Sequence, residues 1–168
     1  MSELMSLLFH DGGALSRQDA NELLHTNDVT CQFGLALTRD DALALIDSRN
    51  SALVNNGRVE IGSSVLERII LKFCDSPYLC EYNYTDTIGA LAELFYYMKN
   101  ETLDLLTDDE LIQRMRSFFD GSAGGSLDLL AGRELDLMAR SIRAYGKECA
   151  LEENDENELD EDDEWGEE

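Results

Sequence analysis

Apolar residues along this chain recur at helical spacing far more often than they alternate, and one proline, Pro77, interrupts them. The pattern predicts an all-α, mainly helical fold of about six helices, over 17–24, 39–55, 64–74, 85–100, 108–119 and 126–145. Ile88, Leu91, Phe95 and Met98 share one face of the fourth, and Leu111, Met115, Phe118 and Phe119 one face of the fifth. Helix starts are marked where a hydroxyl precedes an acid by three residues, in Ser16 and Asp19, Thr38 and Asp41, Ser64 and Glu67, and Thr107 and Glu110. Such pairs bond the free N–H groups of a first turn. Asn55-Asn56-Gly57 and Asp120-Gly121 supply stops, because these residue types tolerate the left-handed conformation that ends helices. Two stretches, 30–37 and 58–61, read as extended and admit one short β ribbon.

A length of 168 residues fits one domain with a core of its own, here a single helical domain over 1–147 followed by an acidic tail over 148–168. Charge is uneven: residues 152–168 hold 12 of the 36 acids and no base, leaving 24 acids against 13 bases in the rest. With Leu159 and Trp165 as its large apolar groups, the tail has too little to bury to offset its ordering entropy, so disorder is expected there. An acidic body repels phosphate backbones, which argues against direct nucleic-acid binding and for a basic protein partner. The opening run MSELMSLLFHDGG is too short and too interrupted for a membrane span or a signal core, so a cytoplasmic protein without membrane association is expected. Cys31, Cys74, Cys80 and Cys149 lie far apart without a CxxC pair and read as reduced thiols.

The most ligand-like run is FDGSAGGSLD, residues 119–128. It lacks the Walker spacing, a following Lys and a preceding strand, so it reads as a helix stop at Gly121, a reversal through Gly124 and Gly125, and a restart capped by Ser126. Glu22 and His25 have the spacing of one half of a di-iron site, but His10 has no Glu three residues before it to make the other half. No metal, cofactor or catalytic residue is assigned. Tyr78, Tyr82 and Tyr84 surround Pro77 in an aromatic-rich region that either packs half-buried or lines a partner groove. On a wheel of about 100° per residue, Leu127, Leu130, Ala131, Leu135, Met138, Ile142 and Tyr145 share one face of the last helix. Arg133, Arg140, Arg143 and Lys147 gather opposite, interrupted by Asp136, as a solvated face or as a stripe that receives the acidic tail or an acidic partner.

Taken together, FGLALTRDDALALIDSRN, NNGRVEIG, FCDSPY, LFYYMKNETLD, LTDDELI and the FDG to LLAG run resemble an uncharacterised bacterial family of small acidic proteins, a domain of unknown function. The resemblance covers roughly residues 30–132 and implies no activity, cofactor or site. The residues favour a non-catalytic helical interaction or regulatory module whose contacts fall on the four bases, the three tyrosines, Leu159 and Trp165. Two other readings stand beside it: an enzyme of unfamiliar type with a site near 74–84 and 120–126, and an acidic mimic of nucleic acid that fills a basic protein groove.

Overall fold

The computed structural model of the chain describes residues 16–148. Helix α1 covers 16–24. It is followed by α2 (Asn27–Thr30), a 3-10 turn (Cys31–Phe33), α3 (Arg39–Asn55), α4 (Ser64–Phe73), α5 (Tyr84–Glu101) and α6 (Asp108–Asp120). The last stretch joins α7 (Leu127–Leu129), a π-helical segment (Leu130–Leu135) and α8 (Asp136–Tyr145). The predicted disorder beyond residue 148, with Leu159 and Trp165, lies outside the described residues.

Helix α5 is the centre because it is apolar on more than one side. Ile88, Leu91, Phe95 and Met98 are buried as the spacing predicts, and Ala92 and Tyr96 are buried as well. It packs against α3, α4, α6 and the last stretch. Against α3 the approach is close: a side chain at Gly89 would stand 3.6 Å from Leu45. Ser48 donates to Glu93 at 3.4 Å and Asn100 to the Asn56 carbonyl at 2.9 Å, so the two helices run parallel and end together.

Their ends are built alike. At α3, the Arg58 N–H bonds the Leu53 carbonyl at 2.8 Å and the Gly57 N–H the Val54 carbonyl at 3.2 Å, with Gly57 left-handed at φ 64°. At α5, the Asp104 N–H bonds the Lys99 carbonyl at 2.9 Å and the Leu103 N–H the Asn100 carbonyl at 3.0 Å, and here Leu103 and Asp104 are both left-handed, each at φ 56°. Arg58 then grips Asp104 with two hydrogen bonds, at 2.7 and 3.1 Å, and clasps the two ends. The buried Lys99 ammonium holds the same turn through the Leu106 carbonyl at 2.8 Å and Asp108 at 2.9 Å. Because Leu103 is mostly exposed, Leu103→Gly removes left-handed strain at little packing cost. It should raise stability by about 0.5–1 kcal/mol, read as a higher Tm.

Four expectations need correction. No strand occurs among the described residues, so 30–37 and 58–61 do not form a ribbon. Side chains supply what a partner strand would have: Asn27 exchanges two bonds with the Leu37 backbone, at 2.8 and 2.9 Å, and the Thr30 hydroxyl donates to the Leu35 carbonyl at 2.8 Å. Thr38 with Asp41 and Thr107 with Glu110 are reciprocal capping boxes as expected, but Ser64 lies inside α4 and Ser63 precedes it. Gly121 ends α6 at φ −91°, outside the left-handed region, which Gly124 and Gly125 occupy instead. Tyr145 is 78% exposed rather than on the apolar face. The π segment underwinds the chain, so Leu130 and Leu135, five apart, are both fully buried and α8 continues on a shifted register.

Candidate functional site

Between α3 and α4, residues 56–63 run without regular structure. In this loop Val59 is 93% and Ile61 94% exposed, while Glu60 between them turns inward. That is the reverse of an ordinary edge segment, where the alternate apolar side chains would be the buried ones.

The cause lies underneath. Arg49, only 3% exposed on the inner face of α3, holds Asp19 of α1 at 3.1 Å and stands 3.6 Å from Glu60 Oε1. It also donates to the Gly62 carbonyl and, at 3.0 Å, to Asn50 Oδ1. The other Glu60 oxygen accepts from the Tyr96 hydroxyl of α5, and burial followed by the Glu60 carboxylate pushes the Tyr96 phenol well above its ordinary range. The Oε1 atom of Glu60 is buried and accepts no hydrogen bond among the described residues, so the guanidinium is its compensation. A buried charge that stays paired only in one loop conformation fixes that conformation. Val59 and Ile61 are thereby held outward.

Two clefts flank the loop. One of about 420 Å³, beside Ile61, carries Asp19, Glu22, Arg49 and Glu60, three acids to one base. The other, about 160 Å³ beside Val59, reaches Arg58, Lys99 and Asp108. Ser63 ties the acidic cleft to α4, its hydroxyl bonded to Glu67 at 3.1 Å and Glu22 at 3.4 Å. His25 is exposed, and among the described residues no cluster of three or more His, Cys, Asp or Glu is arranged to hold a metal ion.

The residues singled out by the sequence are placed apart from this loop. Tyr82 is exposed, Tyr78 is 40% exposed and Tyr84 is buried, so they do not line one groove surface. Tyr78 packs on Phe119 edge to face and covers Gly125, while Ser76 donates to Asp120 at 2.6 Å. The segments 74–84 and 120–126 do meet, with the Tyr78 ring filling the Gly-rich turn. Cys74 is buried, which raises its thiol pKa and keeps it protonated.

The four bases do not share one helix face: Arg133 lies on the π segment, Arg140 and Arg143 on α8, and Lys147 beyond the end of α8 at Gly146, where φ is 89°. Arg143 bonds Glu101 at 2.8 Å and Lys147 bonds Glu110 at 2.6 Å, which straps the helix to α5 and α6. Arg133 and Arg140 are mostly exposed and pair locally, with Glu134 at 3.5 Å and Asp136 at 3.0 Å.

Two buried phenols, Tyr84 at the start of α5 and Tyr96 beside Glu60, give the fold a pH signature. Burial pushes Tyr84 from 10 to about 12, against a smaller opposing effect of the Thr30 hydroxyl, and Tyr96 rises too. Between those values the unfolded chain releases the proton first, so stability falls as pH rises. For Tyr84 the loss should reach about 2–3 kcal/mol at most. Urea unfolding of Tyr84→Phe at about pH 9 and about pH 11 should show a smaller alkaline loss than the unmodified chain.

No described helix is long and apolar enough to cross a membrane. No curated protein and no solved structure matches the chain. Residues 22–148, which include Arg49, Glu60, Tyr96 and the whole 56–63 loop, match a family of unknown function designated DUF6323. The chain belongs to that family.

Proposed function

We propose that the chain is a non-catalytic helical binding module that docks a protein partner on the Val59–Ile61 segment. The observation that carries this reading is the inverted register of the loop, two large apolar side chains more than nine-tenths exposed around one inward glutamate. Exposing them forgoes about 1.5–3 kcal/mol of burial per side chain, which a partner surface can recover. Arg49, Tyr96 and the Arg58 to Asp104 clasp hold the segment before the partner arrives, which lowers the ordering cost of association. The partner has an apolar patch rimmed by basic residues. The three carboxylates of the neighbouring cleft, and a body with 24 acids to 13 bases, would steer such a surface and reject an acidic one.

Val59→Asp/Ile61→Asp should leave the circular dichroism and the Tm nearly unchanged, because both side chains stand in solvent. In tagged recovery from a lysate of the source cells, the double variant should lose a specific basic partner by about tenfold or more, equivalent to about 1.4 kcal/mol. Equal recovery of the same proteins by both forms would sink the reading.

A further inference from the structure

The pairing of the last helix's bases redirects the question of where the acidic residues after Glu148 go. Between α4 and α6 lies an open groove of about 590 Å³. Its apolar floor includes Leu71 and Ile112; its rim carries Arg68 and Lys72 on one side and Asp109 and Glu110 on the other. Leu71 is 46% exposed, although the other apolar residues of its helix, Val65, Leu66, Ile69, Ile70 and Phe73, are buried.

The acids of the rim are already answered. Glu110 accepts from the Thr107 N–H at 2.8 Å and pairs with Lys147 at 2.6 Å, while Asp109 stands 3.6 Å from Arg68. None of the described acids comes within ion-pair distance of Lys72. The groove therefore offers an ammonium, Lys72, that is unpaired among the described residues, beside an apolar floor. Glu110 is a groove residue, so the Lys147 side chain, one residue before the last described position, reaches the groove's edge.

We propose that residues 151–168 dock in this groove of their own chain, with Trp165 over Leu71 and Ile112 and the acids of 160–164 facing Arg68 and Lys72. Seventeen residues lead from Glu148 to Trp165. At about 3.3 Å per extended residue they reach well past a groove that begins beside Glu110. The tether sets an effective concentration on the order of millimolar, so a weak docking contact suffices to keep the groove filled. A partner bearing a similar acidic segment with one aromatic anchor would compete for the same surface.

Trp165 is the single tryptophan of the chain, so its fluorescence reports this segment alone. In the full chain at low salt its emission should be blue-shifted and its quenching by acrylamide slow. Leu71→Glu and, separately, Arg68→Glu/Lys72→Glu should return both towards free indole, and added salt should do so in part. Leu137→Glu, at an exposed position on α8, should change neither. Dilution by about a hundredfold should leave the emission unmoved, because the contact is intramolecular. Water-like emission from the unmodified chain at low salt overturns the proposal. A blue shift that survives both groove variants, or that fades on dilution, does so as well.

Discussion

Replacing Arg49 by Met will cost the fold about 3–5 kcal/mol, the range for removing one partner of a buried ion pair. The methionine keeps most of the side chain's bulk, so the loss comes from the guanidinium and not from a cavity. It strands Asp19 and Glu60, whose side chains are 14% and 15% exposed, and frees the Gly62 carbonyl. Against a total stability of about 5–15 kcal/mol for a domain of this kind, such a loss is readily measured by urea denaturation. The loop should feel it before the core does. Trypsin should cut after Arg58 faster in Arg49→Met than in the unmodified chain under native conditions, since Glu60 no longer has a reason to stay inside. Adding Glu60→Gln removes the stranded charge while leaving an acceptor for Tyr96. The double variant should therefore recover part of the loss, about 1–2 kcal/mol. No recovery would mean that Glu60 is not the charge Arg49 balances.

Gly125→Ala should cost about 2–4 kcal/mol, the sum of left-handed strain and overpacking. Gly125 has φ 80°, and a Cβ built there stands 2.7 Å from Tyr78 Cβ and closer still to the ring. The Tyr78 backbone is set by the Pro77 turn and its ring by Phe119, so it has little room to yield. In a Tyr78→Gly background, which removes the Cβ as well as the ring, the clash disappears and only the backbone strain at residue 125 is left, so the same glycine substitution should then cost about 1–2 kcal/mol. Equal costs in the two backgrounds would show that the ring does not rest on the turn.

The helices were legible because they rest on local terms: an apolar stripe throughout and, for α3 and α6, a hydroxyl and an acid at the start. Thr38 with Asp41 and Thr107 with Glu110 are entirely local and form as read. The ribbon was not legible as absent, since the side chains of Asn27 and Thr30 that replace its pairing look like ordinary polar helix residues. The basic stripe was half legible. The wheel puts the four bases on one helix face, but α8 ends at Tyr145 before Lys147, and the partners of Arg143 and Lys147 lie on α5 and α6, more than thirty residues away in each case. The π segment was signalled only by the spacing of Leu130 and Leu135, which sit about 140° apart on an ideal wheel.

Arg49 did leave a trace. It falls on the stripe of Ala42, Leu45, Ile46, Ala52 and Leu53, where a charged residue is either an error of register or a buried partner for something else. What that partner is could not be read, because Glu60 turns inward only when α1, α3 and α5 deliver Asp19, Arg49 and Tyr96 to one point. Read alone, RVEI suggests a strand with Val59 and Ile61 buried, which is the opposite of their placement.

The central claim is that this loop faces a partner. A photo-crosslinking residue placed at position 59 or 61, in the source cells, tests it most directly. The account predicts one discrete adduct from either position and none from position 82, where Tyr82 is 95% exposed on a different surface. Adducts absent from 59 and 61, or no more abundant there than at 82, would contradict it.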